Sequence, residues 1–190
     1  MKQILFLPID IELPQIEFPT LENVRSNLAG SSFWTYENLA EDNKIKPDLG
    51  EHKIVFKEII DQLPFIDIHI ARLSVQDKIV NPHLDVNLST HQIIKEDYDN
   101  IKKNEPSGYR IVIQGSPVSL KLLHNNRVIS TQLPKIPMIY VINSTELLHF
   151  VDQDIGRKSL YIRGTIDEEK HRYLIDRSLK KYHQFCIYDD

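Results

Sequence analysis

The stretch Asn81-Pro82-His83-Leu84-Asp85 sets an imidazole and a carboxylate two residues apart, and His149 offers a second imidazole much further along. Residues i and i+2 of a strand face the same side, so His83 and Asp85 can address one ion. Two neutral nitrogens and one carboxylate are the donor set that holds Fe(II) on one face and leaves positions open for a co-substrate and O₂. Arginines follow His149 after eight and fourteen residues, at Arg157 and Arg163. A guanidinium fork is suited to gripping a carboxylate in two places. Spacing alone is weak evidence. With 8 His and 27 acidic residues in 190, a His-x-acid pair arises about once by chance. The ordinary alternatives are a surface histidine beside a surface aspartate, and a core histidine on an apolar strand.

What raises the pair above chance is the elements expected to carry it. Ile79 to Val86 reads as an extended run holding His83 and Asp85. His149-Phe150-Val151 starts another strand, and Arg157 to Ile166 a third, separated by the turn Asp152-Gln153-Asp154-Ile155-Gly156. Around them, residues 65–73, 109–115, 118–123, 128–130 and 138–142 read as short strands. Asn125-Asn126 marks a hairpin, because asparagine tolerates the left-handed conformation such turns require. A helix is predicted over 51–62, stopped by Pro64. A second is predicted from Asp167 to about Phe185, with Leu174, Leu179 and Tyr182 facing inward. Its basic residues Lys170, Arg172, Arg177, Lys180 and Lys181 read as a solvated face, since acids intersperse them. Residues 1–50 read as strand fragments and loops, and 92–105 as charged loop. Many short strands with flanking helices predict a mainly β barrel or sandwich.

Bulk properties fit that class. A chain of 190 residues, 41% hydrophobic and 26% charged, suits a single globular domain over 1–190. It divides into an N-terminal region 1–65, a β core 66–166 and a C-terminal helix and tail 167–190. Net charge is -4, so no nucleic-acid partner is expected. No run of 18 apolar residues suggests a membrane span. The N-terminus reads as a strand rather than a signal peptide. A single cysteine, Cys186, points to a reducing cytoplasm.

The order of short motifs resembles the aspartyl/asparaginyl β-hydroxylase family, including its proline cis-3-hydroxylase type. The matching elements are Ala71-Arg72-Leu73, His83-Leu84-Asp85, Tyr109-Arg110-Ile111-Val112-Ile113, His149-Phe150-Val151 and Arg157-Lys158-Ser159-Leu160. They span about half the chain. The resemblance implies a double-stranded β-helix, the jelly-roll or cupin-like barrel. It also implies Fe(II) bound by His83, Asp85 and His149, 2-oxoglutarate as co-substrate, and O₂. The reaction implied is hydroxylation of an amino acid, peptide side chain or small metabolite. The turn after His149 is about two residues shorter than the family's, which leaves two candidates for the 2-oxoglutarate clamp. Arg157 fits the family's Arg-x-x-Leu; Arg163-Gly164-Thr165 is similar to the Arg-x-Ser/Thr of other 2-oxoglutarate oxygenases. On a regular strand they are about 20 Å apart, so only one can serve. Arg110 aligns with a strand arginine near the active site, where a carboxylate contact and a rim salt bridge compete as readings. Arg72 and Asn87 are substrate-side candidates.

Three other readings stand beside this one. A cupin-like metal protein would keep the metal but not use 2-oxoglutarate. A non-enzymatic β-barrel binding module would make the triad incidental. A zinc hydrolase would also use three protein ligands.

Overall fold

The structure, a computed structural model, describes residues 3–16, 25–29, 32–38, 40–41, 44–45, 52–76, 79–83, 108–142, 147–152 and 154–189. Asp85, Asn87 and the predicted loop 92–105 lie outside the described residues. The backbones of Arg72 and Arg163 are placed but their side chains are not described.

Fourteen strands and two helices are present among the described residues. The N-terminal strands are β1 (Ile4–Pro8), β2 (Arg25–Ala29), β3 (Ser32–Asn38), β4 (Ala40–Glu41) and β5 (Lys44–Ile45). Helix α1 (His52–Asp61) follows, then β6 (Phe65–Gln76), β7 (Val80–His83), β8 (Gly108–Gln114), β9 (Leu120–His124) and β10 (Arg127–Ser130). The chain continues through β11 (Met138–Ile142), β12 (Leu148–Val151) and β13 (Lys158–Ile166) to helix α2 (Glu168–Tyr182), a 3₁₀ turn and β14 (Ile187–Tyr188).

The strands form an eight-stranded sheet in the order β14-β1-β11-β8-β13-β6-β3-β2 and a four-stranded sheet in the order β10-β9-β12-β7, with β4 and β5 pairing separately. Every pairing is antiparallel. From β6 to β13 the chain passes back and forth between the two large sheets, and no closed barrel is formed among the described residues. Among the described residues of the N-terminal region, β1 lies between β11 and β14, and β3 and β2 continue the large sheet beyond β6. The predicted hairpin is β9–β10, where Asn125 and Asn126 take φ of 50° and 58° as a primed turn requires.

Alternation along the strands sorts side chains to two faces. On one face Tyr109, Ile111, Ile139, Val141, Leu160, Ile162, Ala71 and Leu73 form a core with Ile59 and Ile60 of α1 and Leu174 of α2. On the other, Phe6, Val112, Met138, Tyr140 and Ile142 meet Leu120, Leu122, Val80 and Val151 of the small sheet. Helix α2 begins where Asp167 caps the Lys170 N–H at 3.0 Å, with Glu168 and Glu169 in its first turn. The basic run on α2 is solvent-exposed as expected, and three of its residues also reach partners. Lys170 donates to the Asp61 and Leu63 carbonyls, and Arg177 and Lys181 both pair with Asp10. These contacts fasten the helix to α1 and to the segment after β1.

Candidate metal centre between the sheets

Strands β7 and β12 are neighbours in the small sheet, and His83 is the direct register partner of His149. Directly opposed residues of an antiparallel pair project on the same side. The two imidazole centroids are 4.5 Å apart. Each ring is tethered the same way. His83 Nδ1 lies 2.8 Å from the Asn81 carbonyl, and His149 Nδ1 lies 3.1 Å from the Leu147 carbonyl. A carbonyl oxygen only accepts, so the proton is assigned to Nδ1 in both rings and the Nε2 lone pairs are directed away from the backbone. Fixing the tautomer through the distal nitrogen is how proteins prepare a histidine to ligate.

Two imidazoles are donors that a transition metal can take. The rings, 4.5 Å apart and tilted by 47°, are close enough that one ion could be reached by both. Among the described residues no three His, Cys, Asp or Glu converge on one point. Asp85, the third predicted ligand, follows His83 by two residues and is outside the described residues.

The large sheet presents charged and polar groups to the histidines. Arg110, in the middle of β8, faces Tyr140 on β11 and Tyr161 on β13. Its guanidinium carbon sits 4.6 Å from the Tyr161 ring centroid, and its Nη2 donates to His149 Nε2 at 3.2 Å. His149 is only 1% exposed, so this contact is screened from water.

Arg157 stands one residue before β13. Its carbonyl accepts from the Gln76 N–H at 2.9 Å, which extends the β6–β13 ladder by one pair. Gln76 and Arg157, and Ser74 and Ser159, are therefore successive cross-strand partners on one face, and Tyr161 follows in register with Arg72. Arg157 is 6% exposed and its Nη2 donates to the Tyr140 hydroxyl at 3.1 Å. Its Nε is 3.8 Å from Asp154 Oδ2, and both oxygens of that carboxylate accept from the Ser116 N–H, at 3.2 and 3.1 Å. Gly115, at φ +143°, makes room for this arrangement. A Cβ there would lie 2.7 Å from Asp154 Oδ2 and 2.9 Å from Arg157 Cγ. Tyr140 thus has an arginine on either side, half-buried Arg110 by register and buried Arg157 by hydrogen bond. Gln76 is also buried, and its Oε1 has no hydrogen-bond partner among the described residues. The arrangement places two imidazoles side by side, one of them engaged by Arg110, and a buried guanidinium held by Tyr140 and Asp154.

Of the residues singled out in the sequence, His83, His149 and Arg110 come together, and Arg157 is joined to them through Tyr140. Arg163 lies opposite Ile70, with a bulge between it and Gly164. Arg72 is the register partner of Tyr161. Two further histidines make contacts elsewhere: His124 meets Asp189 at 2.6 Å, and His171 meets the Tyr109 hydroxyl at 2.7 Å. Tyr140, Tyr161, Gln76 and Asp154 were not singled out. Tyr140 sits inside the apolar run Met-Ile-Tyr-Val-Ile and reads as core, and only its partner Arg157 reveals a polar role.

No family model and no curated protein matches the chain. Among solved structures, an oxidoreductase of the 2OG-Fe(II) oxygenase family from Burkholderia pseudomallei is similar, at a TM-score of 0.42 and 13% identity over 76% of each chain.

Proposed function

We propose that this protein is a non-haem Fe(II)- and 2-oxoglutarate-dependent oxygenase built on a double-stranded β-helix. The single observation that carries the reading is the cross-strand pair His83 and His149, each ring held through Nδ1 by the carbonyl two residues before it. The passage of β6 to β13 between two sheets, in the orders β6-β13-β8-β11 and β7-β12-β9-β10, supports the fold assignment.

In this reading His83, His149 and Asp85 hold the iron. Iron with 2-oxoglutarate and O₂ supplies the chemistry, converting the co-substrate to succinate and CO₂ as a substrate C–H bond is oxidised. The chain's own residues bind and orient. The carbonyls of Asn81 and Leu147 keep both imidazoles in the ligating tautomer. Arg157 pairs with the distal carboxylate of 2-oxoglutarate, and the Tyr140 hydroxyl fixes the angle of its guanidinium. Burial strengthens that pairing, because water competes poorly there. Arg163 remains the alternative clamp. Arg110 meets a carboxylate of co-substrate or substrate, and Arg72 and Asn87 lie on the substrate side. The substrate is an amino acid, a peptide side chain or a small metabolite, met in the cytoplasm.

The test is succinate release from 2-oxoglutarate in the presence of Fe(II) and air, which proceeds slowly even without the correct substrate. Wild type is expected to turn over, and His83→Ala and Asp85→Ala are expected to be inactive. Turnover retained in both variants would remove the assignment. One observation favours a second reading: Asp154 lies 3.8 Å from Arg157 and partly neutralises it. A cupin-like metal protein with no 2-oxoglutarate would keep the histidine pair and use Arg157 structurally. Metal binding without any 2-oxoglutarate affinity would select it.

A further inference from the structure

The His149 ring has one proton and one lone pair. Nδ1 faces the Leu147 carbonyl at 3.1 Å and must donate, so the lone pair is on Nε2. Arg110 Nη2 donates to that atom at 3.2 Å. A metal ion ligated by His149 needs the same lone pair. The two bonds are mutually exclusive, and a guanidinium left beside a bound cation would also be repelled by it. The Arg110 guanidinium also lies over the Tyr161 ring at 4.6 Å, a contact that does not depend on the His149 bond.

We propose that Arg110 is an exchangeable positioning residue: it holds the His149 ring by its Nε2 lone pair, yields that lone pair to the metal, and is held away by a carboxylate bound nearby. This inference rests on the iron-site reading above. It adds that metal and carboxylate bind cooperatively through this one side chain. A carboxylate that engages Arg110 removes the competitor for His149, and by linkage the metal raises carboxylate affinity by the same factor.

The experiment uses Co(II) as a coloured probe, titrated under argon without 2-oxoglutarate, into wild type and Arg110→Met. Methionine keeps the length and apolar contact of the stem but cannot donate. Arg110→Met should bind Co(II) about tenfold tighter or more, the range expected for losing a charge-assisted competitor. Equal or weaker binding by a variant with native circular dichroism would overturn the proposal. A measurement on the unaltered protein does not depend on the variant's folding. Succinate, which has carboxylates but no keto group to chelate metal, should tighten Co(II) binding by wild type several-fold. Absence of that coupling in wild type, or its persistence in Arg110→Met, would also overturn it. Failure of both proteins to bind Co(II) would instead count against the metal-site reading itself.

Discussion

The two faces of the large sheet differ in what they ask of their residues. The face against α1 and α2 is apolar across β11, β8, β13 and β6, from Ile139 and Val141 to Ala71 and Leu73. The face toward the small sheet changes character partway across. Near β1 and β11 it is packed with Phe6, Met138 and Ile142. Near β8, β13 and β6 it carries Arg110, Tyr161, Arg157 and Gln76, opposite His83 and His149 on β7 and β12. Burying such groups is expensive unless each is paired. A stretch of interior that is less favourable than an apolar alternative, and lined by convergent donors, is where function is expected to have overridden stability. The helix-side face specifies the fold; the polar part of the other face spends some of that stability on a site.

That contrast yields predictions in decreasing size. Ile111 is fully buried on the helix side. Ile111→Ala should lower unfolding free energy by about 2–5 kcal/mol, the usual range for a large core truncation, as read by urea denaturation. It should leave the Co(II) affinity of the folded fraction unchanged; a comparable loss of metal affinity would show that the two faces are not separable. Arg157→Met should behave in the opposite way. Its stability change should be smaller, about 1–3 kcal/mol for one charge-assisted bond and the exposed need of Asp154, while 2-oxoglutarate affinity falls tenfold or more by calorimetry. Retained affinity would transfer the clamp to Arg163.

The smallest effect concerns a polar bond on the helix side, between Tyr109 and His171. Burial raises the Tyr109 hydroxyl well above its ordinary value of 10.0. The folded state therefore keeps that proton where the unfolded chain loses it, and the unfolded state binds fewer protons above about pH 10. Stability from this group is complete below that pH and falls as pH rises toward the folded value. Tyr109→Phe should lose about 1 kcal/mol at neutral pH with its bond to His171, and should show a shallower alkaline decline than wild type. Parallel declines in the two proteins would place the titration elsewhere.

Much of this was legible in the sequence because strand periodicity is local. The helices at 52–61 and 168–182, the Asn125-Asn126 hairpin and the strands bearing His83 and His149 follow from spacing and turn chemistry. The register that sets His83 opposite His149 does not follow from spacing, because it depends on which strands neighbour each other and on their alignment. The Arg110–His149 contact does not follow, because it joins residues on different sheets and depends on how the sheets stack. The place of Arg157 was ambiguous for a related reason. Its seat is made by the neighbouring Asp154 together with Gly115 and Tyr140, which are distant in sequence and individually unremarkable turn or core residues. The basic run on α2 is solvent-exposed, as its interspersed acids suggested, but its ties to Asp10 and to backbone carbonyls near the end of α1 join distant segments and could not be read from spacing.

The most direct test of the central claim needs no substrate. Fe(II) and 2-oxoglutarate are added to the protein without oxygen, and the visible charge-transfer absorption of an iron–keto acid chelate is recorded. The account predicts a band in wild type that disappears in His83→Ala and in His149→Ala. A wild-type protein that binds Fe(II) with no such band, or a band undiminished in both variants, would contradict it.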